Sequence, residues 1–205
     1  MTDNALITWS VLMPVKVLGP LMFKLGQLPV YRGRGDAGLV LKQAEQALRA
    51  GACVVVYPEG TASRDPDLWP MVGKTGAARL ALTTGAPVIP VAHWGAQEVL
   101  PYGSKNPKLF PRKTVWMAAG PPVDLSAYQG KRLGASTLQA ATADIMADIT
   151  GLLATIRQAT PPAAPWDPAA GGRVPLDLTG DGSAVPPAAS PEAEAQADSS
   201  ASGPA

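Results

Sequence analysis

The chain has 205 residues, with 17 Lys and Arg against 16 Asp and Glu and a single cysteine. That length supports one well-cored domain plus a tail, and one cysteine excludes a disulfide framework and fits a reducing compartment. The charge is uneven: residues 161–205 hold one Arg and six acidic residues, leaving residues 1–160 with 16 basic and 10 acidic groups, a net of +6.

That balance suits phosphate-bearing ligands or an anionic membrane surface. It does not suit nucleic-acid readout, because the basic residues are dispersed and only two Phe occur. Met1 to Asn4 lacks a cationic n-region and no small-residue cleavage site is present after the apolar run, so the chain reads as intracellular.

From Ala5 to Leu25 the sequence is largely apolar, but Pro14, Lys16, Pro20 and Lys24 interrupt it before the roughly 20 clean residues of a spanning helix. Two readings stand: an interfacial membrane anchor with Trp9 at headgroup level, or a broken core helix. Gln27 to Arg32 reads as a short strand ending in a basic residue, with Asp36 as the N-cap of the next helix. In that helix Ala37, Val40, Leu41, Ala44, Ala47 and Leu48 form one apolar face, closed by Gly51. Strand, helix and strand make a βαβ unit, which predicts parallel, right-handed joining of the strands near Leu28 and Val55.

The stretch C-V-V-V-Y-P-E-G-T from Cys53 to Thr61 carries the most chemistry. A β-branched run without alternation predicts a central strand covered on both faces, with Cys53 as a core thiol. Pro58 cannot extend a ladder and Gly60 frees the backbone, so Glu59 should stand in a turn at the carboxyl end of a parallel sheet, where ligands bind.

Residues 62–73 read as loop, before a short helix from about Lys74 to Thr84 with Gly85 at its end. Pro87 to Ala92 and Thr114 to Ala119 read as strands, separated by a basic loop over residues 101–113. Ser136 to Arg157 is the longest helix, its stripe running through Leu138, Ala141, Ile145, Ile149, Leu152, Leu153 and Ile156. Beyond Thr160 the Pro-, Ala- and acid-rich composition predicts disorder. Gly73-Lys74-Thr75 ends like a phosphate loop, but Leu68 stands where the motif needs Gly and Pro70 lies inside it, so a nucleotide triphosphatase is not indicated. No spaced His, Cys or carboxylate cluster indicates a metal.

The run P-E-G-T from Pro58 to Thr61, continuing into S-R-D-P-D-L-W-P, resembles the third sequence block of the glycerolipid acyltransferase family, which includes the 1-acylglycerol-3-phosphate acyltransferases. G-Q-L-P-V-Y-R-G from Gly26 to Gly33 is similar to the second block and V-I-P-V-A from Val88 to Ala92 to the fourth, in the family's order. The resemblance implies that Arg32 binds the phosphate of the acyl acceptor and that Glu59 and Gly60 contact its glycerol phosphate, with Thr61 beside them. Where the family continues with Arg this chain has Ala62, so one phosphate-directed charge is missing and weaker or altered acceptor binding is expected, unless Arg64 or Lys74 substitutes.

The family's first block, N-H-x-x-x-x-D, supplies a general base. The chain's one histidine, His93, lies after the third and fourth blocks, so it is read as a satisfied structural histidine and no catalytic residue is assigned. A start codon placed too far downstream is the simplest expectation.

The expected architecture is α/β: a mixed, mainly parallel central sheet with flanking helices. Residues 1–25 would be a membrane-proximal segment, 26–160 the acyltransferase-like domain and 161–205 a disordered tail. The implied function is acyl transfer from acyl-CoA or acyl carrier protein to a lysophospholipid at the cytoplasmic face of a membrane, without a cofactor. Absence of the His–Asp block implies that the chain as written is inactive. The alternative is a non-catalytic relative that binds anionic lipid.

Overall fold

The computed structural model describes residues 5–9, 27–30, 37–101, 104 and 106–175. Among these, the elements in chain order are β1 (Ala5–Trp9), β2 (Gln27–Val30), α1 (Ala37–Arg49), β3 (Val54–Val55), α2 (Gly76–Thr84), β4 (Val91–Trp94), α3 (Ala96–Val99), β5 (Trp116–Ala119), α4 (Ala135–Arg157), β6 (Trp166–Asp167) and β7 (Gly172–Arg173).

The strands form three small sheets: parallel β2-β1-β3, antiparallel β4-β5 and antiparallel β6-β7. One continuous, mainly parallel sheet is therefore not what the described residues form. The strands near Leu28 and Val55 are parallel as expected, but β1 lies between them. Residues 5–9 thus belong to a strand, not to an anchor or a helix; the rest of the apolar segment, and Asp36, lie outside the described residues. No described helix is long and apolar enough to cross a membrane.

Helix α1 buries Val40 and Ala44 from its apolar stripe. It stops in a Schellman motif: Ala52 N–H donates to Ala47 O at 2.9 Å and Gly51 N–H to Leu48 O at 3.0 Å, with Gly51 at φ +83. Helix α2 ends in the simpler left-handed cap, in which Gly85 N–H donates to Ala81 O at 2.8 Å.

Helix α4 organises the core. Leu138, Ala141 and Ile145 pack with Ala78 and Ala81 of α2 and with Val123 and Leu125. Further along the helix, Leu153 packs with Trp69 and Ala92. Each large side chain buried in this way contributes about 1.5–3 kcal/mol. Buried Thr142 is satisfied within the helix, its hydroxyl donating to Leu138 O at 2.7 Å.

Strand β4 begins later than Pro87–Ala92 because Pro87 and Pro90 have no N–H to contribute. Their neighbourhood still pairs through carbonyls: Gly120 N–H donates to Pro90 O and Val123 N–H to Val88 O, at 3.0 and 2.9 Å. Alternation along β4 turns Ala92 into the core and leaves Val91 and His93 exposed.

Two expectations fail on burial. Val55 and Tyr57 are 45% and 58% exposed, and Cys53 is an exposed free thiol, so β3 is not a covered central strand. Among the described residues it stands at one end of its sheet, and Cys53, Val55 and Tyr57, at alternate positions, share the exposed face. Residues 161–175 are not disordered either: they make the β6-β7 ladder, and Trp166 bridges back to Met71. Residues 176–205 lie outside the described residues.

Candidate functional site

The Pro58-Glu59-Gly60-Thr61 turn leaves β3 through a tight bend in which Gly60 N–H donates to Tyr57 O at 3.0 Å and Gly60 has φ +66. A side chain at this position would be strained in that backbone conformation, which is why the turn uses glycine. The bend is tied to the segment that closes the adjoining loop: Pro58 O accepts from Lys74 N–H at 2.8 Å, and Glu59 Oε2 accepts from Met71 N–H at 2.9 Å.

Burial pushes the Glu59 carboxyl up to about 7, against the opposing effect of the Met71 N–H. Near neutrality Glu59 is therefore divided between an acid that can donate a hydrogen bond and a carboxylate that can accept one from a hydroxyl. Among the described residues, Lys74 is the cation placed at the turn. Its Nζ lies 3.4 Å from where a Cβ on Gly60 would stand, so the exposed Lys74 stem runs along the glycine. Arg64 is exposed, and its backbone N–H donates to Met71 Sδ at 3.1 Å. Of the two candidates to substitute at Ala62, Lys74 is the one placed against Gly60. Thr61 is half-buried beside the turn, and Arg32 lies outside the described residues.

The loop between Thr61 and Met71 is built, although its prolines suggested irregular chain. Ser63 Oγ donates to Trp69 O at 2.6 Å and accepts from Asp65 N–H at 3.3 Å. Asp65, 1% exposed, accepts through Oδ1 from Asp67 N–H at 2.9 Å and from Arg173 Nη2 at 2.7 Å. Arg173 Nη2 also reaches Asp67 Oδ2 at 2.9 Å. Val72 N–H donates to Trp166 O at 3.0 Å, so the loop is held by residues from the far end of the described chain.

A second clamp comes from α4. The Arg157 guanidinium lies between the Trp69 and Trp94 rings, 4.2 Å from each centroid, and Nη1 donates to Asp67 O at 2.8 Å. Neither arginine was singled out from sequence. The available signal was the arrangement around Trp166 and Arg173, a Trp and an Arg flanking a Gly171-Gly172 turn inside an otherwise Pro- and Ala-rich tail.

The phosphate-loop reading of Gly73-Lys74-Thr75, set aside on sequence, gains nothing from the geometry, and the reading of His93 changes. Gly73 is packing chemistry, not a phosphate loop, because a Cβ there would stand 2.8 Å from Met146 Cγ and 2.9 Å from Thr142 Cγ2 of α4. His93 is exposed on β4 opposite Met117, so the expectation of a hydrogen-bonded structural histidine is corrected to a solvent-facing one.

Residues 7–94 match the family model described as Acyltransferase, a span that runs from β1 to the end of β4 and contains Glu59, Gly60, Thr61 and Arg64. Over 93 residues, 45% of this chain, the sequence is 35% identical to the chloroplastic 1-acyl-sn-glycerol-3-phosphate acyltransferase BAT2 of Brassica napus. It is 33% identical to the chloroplastic 1-acyl-sn-glycerol-3-phosphate acyltransferase LPAT1 of Arabidopsis thaliana over the same length. The matched region spans about a quarter of each of these relatives, 26% of their length.

In fold the chain is similar to the 1-acyl-sn-glycerophosphate (LPA) acyltransferase PlsC of Thermotoga maritima. The TM-score is 0.53 at 23% identity, covering 74% of this chain and 58% of that one. The resemblance carried by the three sequence blocks is thus borne out by family model, relatives and fold. The matched segment ends at Trp94, so both clamps on the loop, Arg157 and Arg173, come from beyond it.

Proposed function

We propose, taking residues 7–94 as an acyltransferase-type region, that this chain carries the acceptor-binding part of an enzyme that moves an acyl group from a thioester to a lysophospholipid such as 1-acylglycerol-3-phosphate. The observation that carries this reading is the Glu59 turn. A carboxyl poised near neutrality and an ammonium group meet at one turn, the Lys74 stem lying along Gly60.

The chemistry divides naturally. Lys74 offers a point charge to a phosphate, and the Glu59 carboxyl offers a hydrogen-bond partner to a glycerol hydroxyl. Arg32, Thr61 and Arg64 complete the acceptor contacts. The donor is acyl-CoA or acyl carrier protein, and the site works at the cytoplasmic face of a membrane, which the protein meets peripherally or monotopically.

Acyl transfer also needs a base for the attacking hydroxyl. The His–Asp block of the family is not among these 205 residues, and exposed His93 does not replace it. Turnover by this chain alone is therefore low, and lysophospholipid binding is its measurable activity. The test is thiol release from an acyl thioester with and without lysophosphatidate. Release at background supports this division of labour. Acceptor-dependent turnover that survives Glu59→Ala would overturn the assignment of the turn.

A further inference from the structure

The segment from Lys108 to Met117, which leads into and along β5, exposes large apolar side chains that no packing in the fold accounts for. Phe110 is 85% exposed, Met117 71% and Trp116 61%, with Leu109 close behind. Among the described residues β5 pairs only with β4, so it is a free edge, and Trp116 and Met117 project from its two faces. This exposed strand edge and the segment leading into it make up the apolar wedge.

The wedge is also positively charged. Residues 99–119 contain four basic residues and no acidic one, and Lys108 and Arg112 are exposed beside Leu109 and Phe110. Both ends of the segment are fixed. Lys108 N–H donates to Val99 O at 2.7 Å, and Gly95 sits so close to the Thr114 backbone that a Cβ there would collide with Thr114 O. Exposure is therefore imposed by the fold.

We propose that this wedge, Leu109 and Phe110 with Trp116 and Met117, flanked by Lys108 and Arg112, docks the protein on an anionic lipid bilayer. Aromatic and aliphatic tips enter the headgroup layer while neighbouring cations meet lipid phosphates. A projecting apolar edge among cations with no intervening carboxylate complements that surface better than it complements a second copy of itself, since the like charges would repel. The proposal deepens the reading of a membrane-surface enzyme, on which it rests, by assigning the contact to residues outside the acceptor turn.

The test is flotation of the full chain with vesicles of phosphatidylcholine alone or mixed with phosphatidylglycerol. Binding is expected to the mixed vesicles and to fall at least tenfold in Leu109→Ser/Phe110→Ser, whose side chains are already exposed and whose melting should not change. Lys108→Glu/Arg112→Glu should lose the preference for anionic vesicles, at roughly fivefold or more per charge. Unchanged flotation in both variants would overturn the proposal. So would a wild type that stays with the supernatant, or one that dimerises through this edge without binding vesicles. A vesicle-free titration with a water-soluble short-chain lysophosphatidate separates the two readings. Leu109→Ser/Phe110→Ser should keep that binding, whereas Glu59→Ala should weaken it roughly tenfold and still float.

Discussion

Arg173 and Asp65, 108 residues apart in sequence, meet through a charged hydrogen bond of 2.7 Å that joins the β6-β7 ladder to the loop after the Glu59 turn. The Asp65 carboxylate is buried, and its Oδ2 has no hydrogen-bond partner among the described residues. Removing the arginine leaves a buried charge uncompensated, which costs far more than the intact pair contributes. Arg173→Ala should destabilise the fold by about 3 kcal/mol, and pairing it with Asp65→Asn should recover part of the loss. Urea denaturation of the single and double variants measures this; equal stability of Arg173→Ala and wild type would remove the clamp.

Arg157 holds the same loop by stacking. Its guanidinium lies between Trp69 and Trp94, and the last turn of α4 favours a cation there. A cation over an aromatic face contributes about 0.5–2 kcal/mol depending on desolvation, so Arg157→Ala should cost about 1–3 kcal/mol. Arg157→Lys should not restore the loss, because an ammonium cannot stack flat between two rings. Tryptophan fluorescence should shift in both variants as the ring faces are freed.

Glu59 makes stability depend on pH in a stated direction. Its carboxyl stands near 4.5 when solvated and about 7 in the fold, so between these values the folded state holds a proton that the unfolded state has released. Stability is then highest below 4.5, falls as pH rises toward 7 and levels above it, a change on the order of 3 kcal/mol. Glu59→Gln cannot titrate and should flatten this part of the profile, becoming more stable than wild type at about pH 8. Melting temperatures of the two proteins from about pH 4 to pH 8 provide the comparison, and parallel profiles would contradict the burial of the carboxyl.

Glycines differ in what they permit, and two substitutions separate the causes. Gly95 has φ +107 and faces the Thr114 carbonyl, whereas Gly51 has φ +83 with nothing within 4 Å of its Cβ position. Gly51→Ala should cost about 1 kcal/mol for backbone strain alone. Gly95→Ala adds a backbone clash and should cost about 3 kcal/mol or more. Similar losses at both positions would show that the Gly95–Thr114 approach is not tight.

Much of the fold was legible in the sequence wherever a local signal decided the structure. The apolar stripe and Gly51 delimit α1, the longer stripe delimits α4, and Pro58 with Gly60 places Glu59 in a turn. Reading failed where distant partners decide. Ala5 to Trp9 looked like part of an apolar helix or anchor, because pairing with β2 and β3 leaves no period in a five-residue strand. Residues 161–175 looked disordered because composition cannot register that Arg173 completes a buried Asp65. Cys53 and β3 looked central because a β-branched run indicates a strand but not which neighbours cover it. At the site, the family resemblance favoured Arg64, with Lys74 as the alternative, and only the fold lays Lys74 along Gly60.

The central claim is that the Glu59 turn binds the phosphate-bearing acceptor. Isothermal titration of the chain with a water-soluble short-chain lysophosphatidate, in the absence of vesicles, tests it most directly. Binding should weaken roughly tenfold in Lys74→Ala, as expected for a charge-assisted contact. It should weaken by a similar factor in Glu59→Ala, while the exposed His93→Ala leaves it unchanged. Equal affinity in wild type, Lys74→Ala and Glu59→Ala would contradict the account.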